Sequence, residues 1–339
     1  MRSTLHMPQG LNERLLRAYA YGLQIDFEVW AHANADPVWV ARRAASYARA
    51  GRWLGDAYNS ALIRNALGAV NSLEVDSKAF FMEQLTANAY AVNAGMDDAI
   101  DWIHAHKSKA FEYAEEISAE QASVRHSGCL ADATGAFLAA YGASRDIAWL
   151  HAAERCSNRA LLRPAALVDR ANQGGNDVFS ALPPALTGTE GERMESETLL
   201  WWARLLLELD RHRKDLKSGI GLRKEIARTL FDTTLAKAWD PQTGGISKSF
   251  SLSREVLEPV KTASVQVEAM IASVRLAAML KDSSYEKWTE RIWHAAEHLL
   301  LDSSNGVWRW TGNASGEGRH DYMAMCRMYD ILSVCTEPA

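Results

Sequence analysis

Apolar residues recur at helical spacing along nearly the whole chain, and the two-residue alternation of half-buried strands is almost absent. The periodicity predicts helices over roughly 12–33, 38–49, 53–72, 77–93, 97–118, 129–141, 147–162, 195–213, 222–238, 263–280, 285–301 and 320–334. Punctuation agrees with the periodicity. Asp36-Pro37 can open the second helix, because proline is accommodated in a first helical turn. Gly51 and Gly95 fall between predicted helices, where a left-handed cap is cheap for glycine.

A weak internal repeat organises these helices into pairs. Ala136 to Trp149 reads helix, short acidic turn at Asp146, aromatic residue, next helix, and Ala272 to Tyr285 repeats that order around Asp282. A single hairpin cannot bury its own apolar face, so repeated hairpins must stack or close into a ring. Twelve helices make six hairpins, which predicts an all-α (α/α)6 barrel, with an open solenoid as the other arrangement. Three connections are long: 163–194, 239–262 and 302–319. Long loops in a compact domain are usually functional, so the face carrying them is the expected site. No linker-like stretch interrupts the chain, which is read as one domain over 1–339.

Composition narrows the function classes. A net charge of −5 supplies no electrostatic footprint for nucleic acid or an anionic membrane surface. The basic run Arg211-His212-Arg213-Lys214 follows a helix, where cations favour the C-terminal dipole. Four widely spaced cysteines (129, 156, 326 and 335) form no CxxC pair and fit reduced thiols of a cytoplasmic protein. The N-terminus lacks the apolar run of a signal peptide, and the apolar stretch Leu199 to Leu209 is too short to span a bilayer. His104 and His106 lie two apart, pointing to different helix faces, and HExxH is missing, so no metal site is expected. Phosphate loops and the dinucleotide GxGxxG pattern are missing too, and no cofactor is expected.

The chemistry-bearing residues concentrate in the last hundred positions. Trp239-Asp-Pro-Gln-Thr-Gly-Gly245 is followed by Lys261-Thr-Ala-Ser-Val-Gln266-Val-Glu268-Ala269, then Asp302-Ser-Ser-Asn-Gly306-Val-Trp308, then Gly318-Arg319-His320. In order and spacing this resembles the N-acylglucosamine 2-epimerase family, which includes mannose isomerases and cellobiose 2-epimerases. The middle third resembles it more loosely, through Ala136-Phe-Leu-Ala-Ala-Tyr and Trp202-Ala-Arg-Leu-Leu-Leu. The resemblance implies a sugar or sugar derivative as small-molecule substrate, and histidines that move a proton at the carbon beside the carbonyl. It fails at two of them. By register Asp132 stands at one family histidine, while Thr198 and Trp201 stand at the histidine and glutamate of a His-x-x-Glu-Trp motif. Only His320 matches.

The expected catalytic set is therefore His320 with Asp132 and Glu197. The expected binding set is Glu268, Gln266, Trp308, Trp201, Glu195 and His126. Each has a plainer reading. Acids at 195 and 197 suit a helix start whatever the function. Glu268 can brace a second helix through an ion pair, and tryptophans mostly pack cores. Ser264 stands where the family has a tryptophan. The leading expectation is a sugar isomerase or 2-epimerase working by proton transfer in a Trp-lined barrel pocket. The alternatives are a carboxylate-using hydrolase or lyase, or other small-molecule chemistry, on the same barrel, and a non-catalytic ligand-binding protein. Oligomeric state stays open, a homodimer being one option.

Overall fold

Among the described residues, most helices fall near where periodicity puts them. The computed structural model describes residues 37–54, 57–119, 124–161, 193–213, 222–251, 256–300 and 311–312. The chain divides into two compact units, Asn34–Arg163, and Met1–Ala33 together with Pro164–Ala339. The helices expected at 12–33 and 320–334 lie outside the described residues.

The first unit contains α1 (Pro37–Leu54), α2 (Ala57–Asn71), α3 (Lys78–Asn93), α4 (Ala99–Ala105), α5 (Lys107–Ala119), α6 (Val124–Ser144) and α7 (Ile147–Ala160). Ser77 caps α3 by accepting from the Phe80 amide, and Asp146 caps α7 by accepting from the Ala148 amide. Gly95 follows α3 at φ 88°, the left-handed position expected of it. Gly51, by contrast, lies inside α1, which runs on to Leu54. A helix tolerates an interior glycine at modest cost, so a glycine marks a break only where the next turn also fails to pack.

The helix expected over 97–118 divides at His106 into α4 and α5. The His106 ring nitrogen Nδ1 lies 2.8 Å from the Trp102 carbonyl oxygen, and the two rings stack at 4.0 Å. A side chain bonded back onto its own turn competes with continuation of the helix.

The second unit carries β1 (Arg193–Glu195), α8 (Ser196–Arg213), α9 (Leu222–Ala238), β2 (Ser249–Ser251), β3 (Val256–Glu258), β4 (Lys261–Thr262), α10 (Ala263–Leu280), α11 (Ser283–Leu300) and β5 (Thr311–Gly312). Within each unit the first helices of successive hairpins lie side by side: α1 on α3 and α3 on α6, then α8 on α10. The helices α2, α7, α9 and α11 each pack against their own hairpin partner. Burial follows that order. Residues of α10 are buried on nearly all sides, whereas α11 buries the stripe Tyr285, Thr289, Ile292, Trp293 and Ala296. Helices apolar all round belong in an interior, and amphipathic ones cover it. Thus α10, long and apolar enough by composition to cross a membrane, is a mostly buried core helix.

A cleft of about 200 Å³ opens between α5 and α7, lined by Glu115, Ser118, Arg155, Cys156 and Arg159. Cys156 is only 1% exposed there. Burial pushes its thiol up to about 12, so almost no thiolate exists near neutrality. In the native protein at pH 8, iodoacetamide should leave the Cys156 peptide unmodified by mass spectrometry, with labelling only after unfolding. Native labelling would contradict this packing.

Candidate active site

The three long loops meet through backbone pairing. Strand β1, ending the first loop, pairs antiparallel with β2 of the second, placing Glu195 opposite Ser249. Strand β4, ending the second, pairs antiparallel with β5 of the third, placing Lys261 opposite Gly312. Strand β3 completes the first sheet beside β2. Sequence periodicity gives no signal for strands of two or three residues, so this knitting was not legible in the chain.

The Trp239–Gly245 turn is fixed from several directions. The Asp240 carboxylate accepts from the Thr243 hydroxyl at 2.5 Å, from the Gln242 and Thr243 amides, and from Lys261 Nζ at 3.2 Å. These contacts, the Thr243 hydroxyl foremost, hold the carboxyl well below the usual carboxylate range. Buried Lys261 also donates to Ser247 Oγ at 3.0 Å and to the Pro259 carbonyl at 2.9 Å. Gly244 and Gly245 adopt φ 75° and 79°, and a Cβ on Gly244 would meet Ala295 Cβ at 3.0 Å. Gly244→Ala should cost about 1–3 kcal/mol through left-handed strain plus this contact. Unchanged urea denaturation of that variant would refute the strain.

Gln266 and Glu268 spend their polar atoms inside the protein. Gln266 accepts from the Ile246 amide at 2.9 Å and donates to the Ile246 carbonyl at 2.8 Å, closing the turn onto α10. Fully buried Glu268 accepts from Arg204 Nε of α8 at 2.9 Å. The lysine, glutamine and glutamate of the motif all serve the frame in this geometry, and the ion-pair reading of Glu268 is the one observed.

The polar groups nearest the loops come from the starts of α8 and α10. Half-buried Glu197, in the first turn of α8, accepts from the Ser264 hydroxyl of α10 at 3.0 Å, and Ser264 lies 3.3 Å from the Thr262 hydroxyl. Trp201 follows one turn after Glu197 and is also half-buried. Glu195 pairs with Arg193 at 2.6 Å, and Arg193 reaches on to Glu258. So the structure brings Glu197, Ser264, Trp201, Gln266 and Glu268 onto two adjacent helices.

Asp132 belongs to the other unit. It lies on α6, 3.8 Å from the Arg42 guanidinium of α1, which also bonds Glu83 of α3 at 2.5 Å. All three side chains keep partial exposure, 20%, 25% and 15% for Asp132, Arg42 and Glu83. Arg42 and Glu83 were missed from sequence. The available signal was an arginine between Ala41 and Ala44, both fully buried, since a charge within an apolar stripe needs a partner. His126 lies in the first turn of α6, with its side chain outside the described residues, as are His320 and Trp308. Among the described residues, no group of three His, Cys, Asp or Glu side chains is arranged to hold a metal ion.

Known proteins show the same architecture. D-mannose isomerase from Marinomonas mediterranea is 30% identical over 144 residues, 40% of this chain and 35% of that protein. The match therefore spans only about a third of that relative's length. A crystal structure of D-mannose isomerase superposes with a TM-score of 0.68 at 18% identity, covering 88% of this chain and 87% of that one. Cellobiose 2-epimerase from Bacillus thermoamylovorans superposes with a TM-score of 0.64 at 14% identity, covering 88% of each chain. The fold is thus all-α, the (α/α)6 barrel expected from six hairpins. With residues 79–333 matching the profile of N-acylglucosamine 2-epimerase (GlcNAc 2-epimerase), the chain belongs to that family.

Proposed function

We propose that this protein is a sugar isomerase or 2-epimerase that moves a proton at the carbon beside an aldose carbonyl. The observation that carries the reading is family membership over residues 79–333, joined to the polar helix starts beside the knitted loops. The chemistry removes the C2 proton to give an enediolate. Reprotonation at C1 yields the ketose, and reprotonation at C2 from the other face yields the epimer. One group must take the proton and one must return it.

His320 is the proposed imidazole for one of these tasks. Asp132, at a family histidine position and beside Arg42, and Glu197, beside Ser264, are the proposed carboxylate partners. Trp201, Trp308, Glu195 and His126 are the proposed substrate wall. D-mannose is the first substrate to try, because that is what the Marinomonas relative's name specifies.

Aldoses incubated with the protein in heavy water and followed by proton NMR test the reading. Deuterium entering C2 together with a new ketose or epimer is the expected result. New reducing ends from a glycoside, without C2 exchange, would favour the carboxylate hydrolase instead, which the Asp132 and Thr198 replacements of family histidines also suit. Neither change across the aldoses and glycosides would sink the enzymatic reading in favour of ligand binding.

A further inference from the structure

Between α8 and α10 the contacts form an ordered series. Glu197 meets Ser264, Arg204 meets Glu268, and Glu208 meets Arg275 at 3.0 Å, with sequence separations of 67, 64 and 67. A near-constant separation means the two helices run parallel in one register. Positions 197, 201, 204, 208 and 211 make a single stripe of α8, and 264, 268, 271 and 275 make one of α10. Arg204 also lies 3.8 Å from Glu208, so Glu268, Arg204, Glu208 and Arg275 form a chain of alternating charge. Burial pushes the Glu208 carboxyl up, but Arg275 and Arg204 outweigh it and hold it well below the usual range.

The first unit repeats the device. Arg42 meets Glu83 across α1 and α3 at a separation of 41, and the Arg49 guanidinium sits 3.7 Å over the Tyr90 ring seven residues further along both helices.

From this series we infer that Arg204 and Glu268 are positioning residues, locking the register of α8 on α10 so that Glu197 and Ser264 meet at the loop face. The leucine-rich middle of α8 could slide by a turn along apolar α10 with little loss of burial, because leucine and alanine surfaces interchange. A buried charge pair cannot, since a slip parts the buried Glu268 carboxylate from Arg204, and fixing register is the best-attested use of such groups. The alternative is a pair that contributes packing and stability alone. The catalytic consequence rests on the proposed proton-transfer role of the Glu197 end.

The test is the double variant R204M/E268M, which fills the space with apolar side chains, compared with R204K and E268Q. Urea unfolding should leave the double variant near wild-type stability. Amides of residues 200–203 and 267–270 should nevertheless exchange about tenfold faster or more, out of step with global opening. Turnover of D-mannose should fall about a hundredfold, with KM nearly constant, as misplacement of a reacting group predicts. R204K, keeping the charge, should recover part of both. Exchange that changes only in step with global stability overturns the inference, and so does local acceleration with full turnover. If the wild-type protein converts no aldose, the functional reading fails while the exchange comparison still decides the register role. If the double variant does not fold, E268Q carries the same comparison, with faster exchange confined to those segments expected and unchanged exchange overturning it.

Discussion

Arg204→Met alone should lose about 3–5 kcal/mol of unfolding free energy, seen as a lower urea midpoint, because it removes the guanidinium that lies 2.9 Å from the fully buried Glu268 carboxylate. The cost comes from the lost charge pairing rather than from lost volume, since methionine fills much of the arginine's volume. Removing both partners should therefore restore most of the loss, and the non-additivity is the signature of direct coupling. Arg275→Met is the control. It removes one cation from Glu208, which keeps Arg204 at 3.8 Å and a partly exposed carboxylate, so a smaller loss is expected. A single-variant cost at 204 below about 1 kcal/mol would place the pair in the range of solvent-screened ion pairs.

His320→Ala should fold as the wild type does and lose at least about a hundredfold in turnover, the lower end of what one positioned acid or base contributes. Little core volume goes with an imidazole at the expected start of a helix, so melting should barely change. The partner is then to be found among Asp132, Glu197, Glu195 and His126, and one of those single substitutions should be comparably damaging. Near-normal turnover in His320→Ala would show that the family's proton transfer has not carried over. The carboxylate chemistry at Asp132 and Glu197 would then be the better reading. Circular dichroism and a urea midpoint separate this outcome from misfolding.

How much of this was written in the chain divides by range. The eleven helices among the described residues follow the spacing of apolar residues, and some starts follow local chemistry, such as Asp146 accepting from the amide two residues on. These are interactions within a turn or two, so a window of sequence contains both partners. The family motifs were legible for the same reason, as short runs with fixed spacing.

How those motifs are used depends on packing between distant segments. Lys261 reaches Asp240 across 21 positions, Gln266 bonds Ile246 across 20, and Glu268 finds Arg204 across 64, so Gln266 and Glu268, both read as ligand-binding candidates, also brace the frame. Nothing local distinguishes a glutamate that faces a sugar from one that faces a neighbouring helix. The choice depends on which side of a nearly all-apolar helix the fold turns toward its partner. That side is set by packing between segments more than sixty residues apart. The strand pairings joining the three long loops have the same origin, since two- and three-residue strands exist only once their partners arrive. Short-range burial patterns along the chain were enough to place most helices and to pair them into hairpins, and the structural neighbours selected the closed barrel over an open solenoid. Long-range packing determined which polar side chains pair within the frame, as Glu268 does with Arg204 and Gln266 with Ile246.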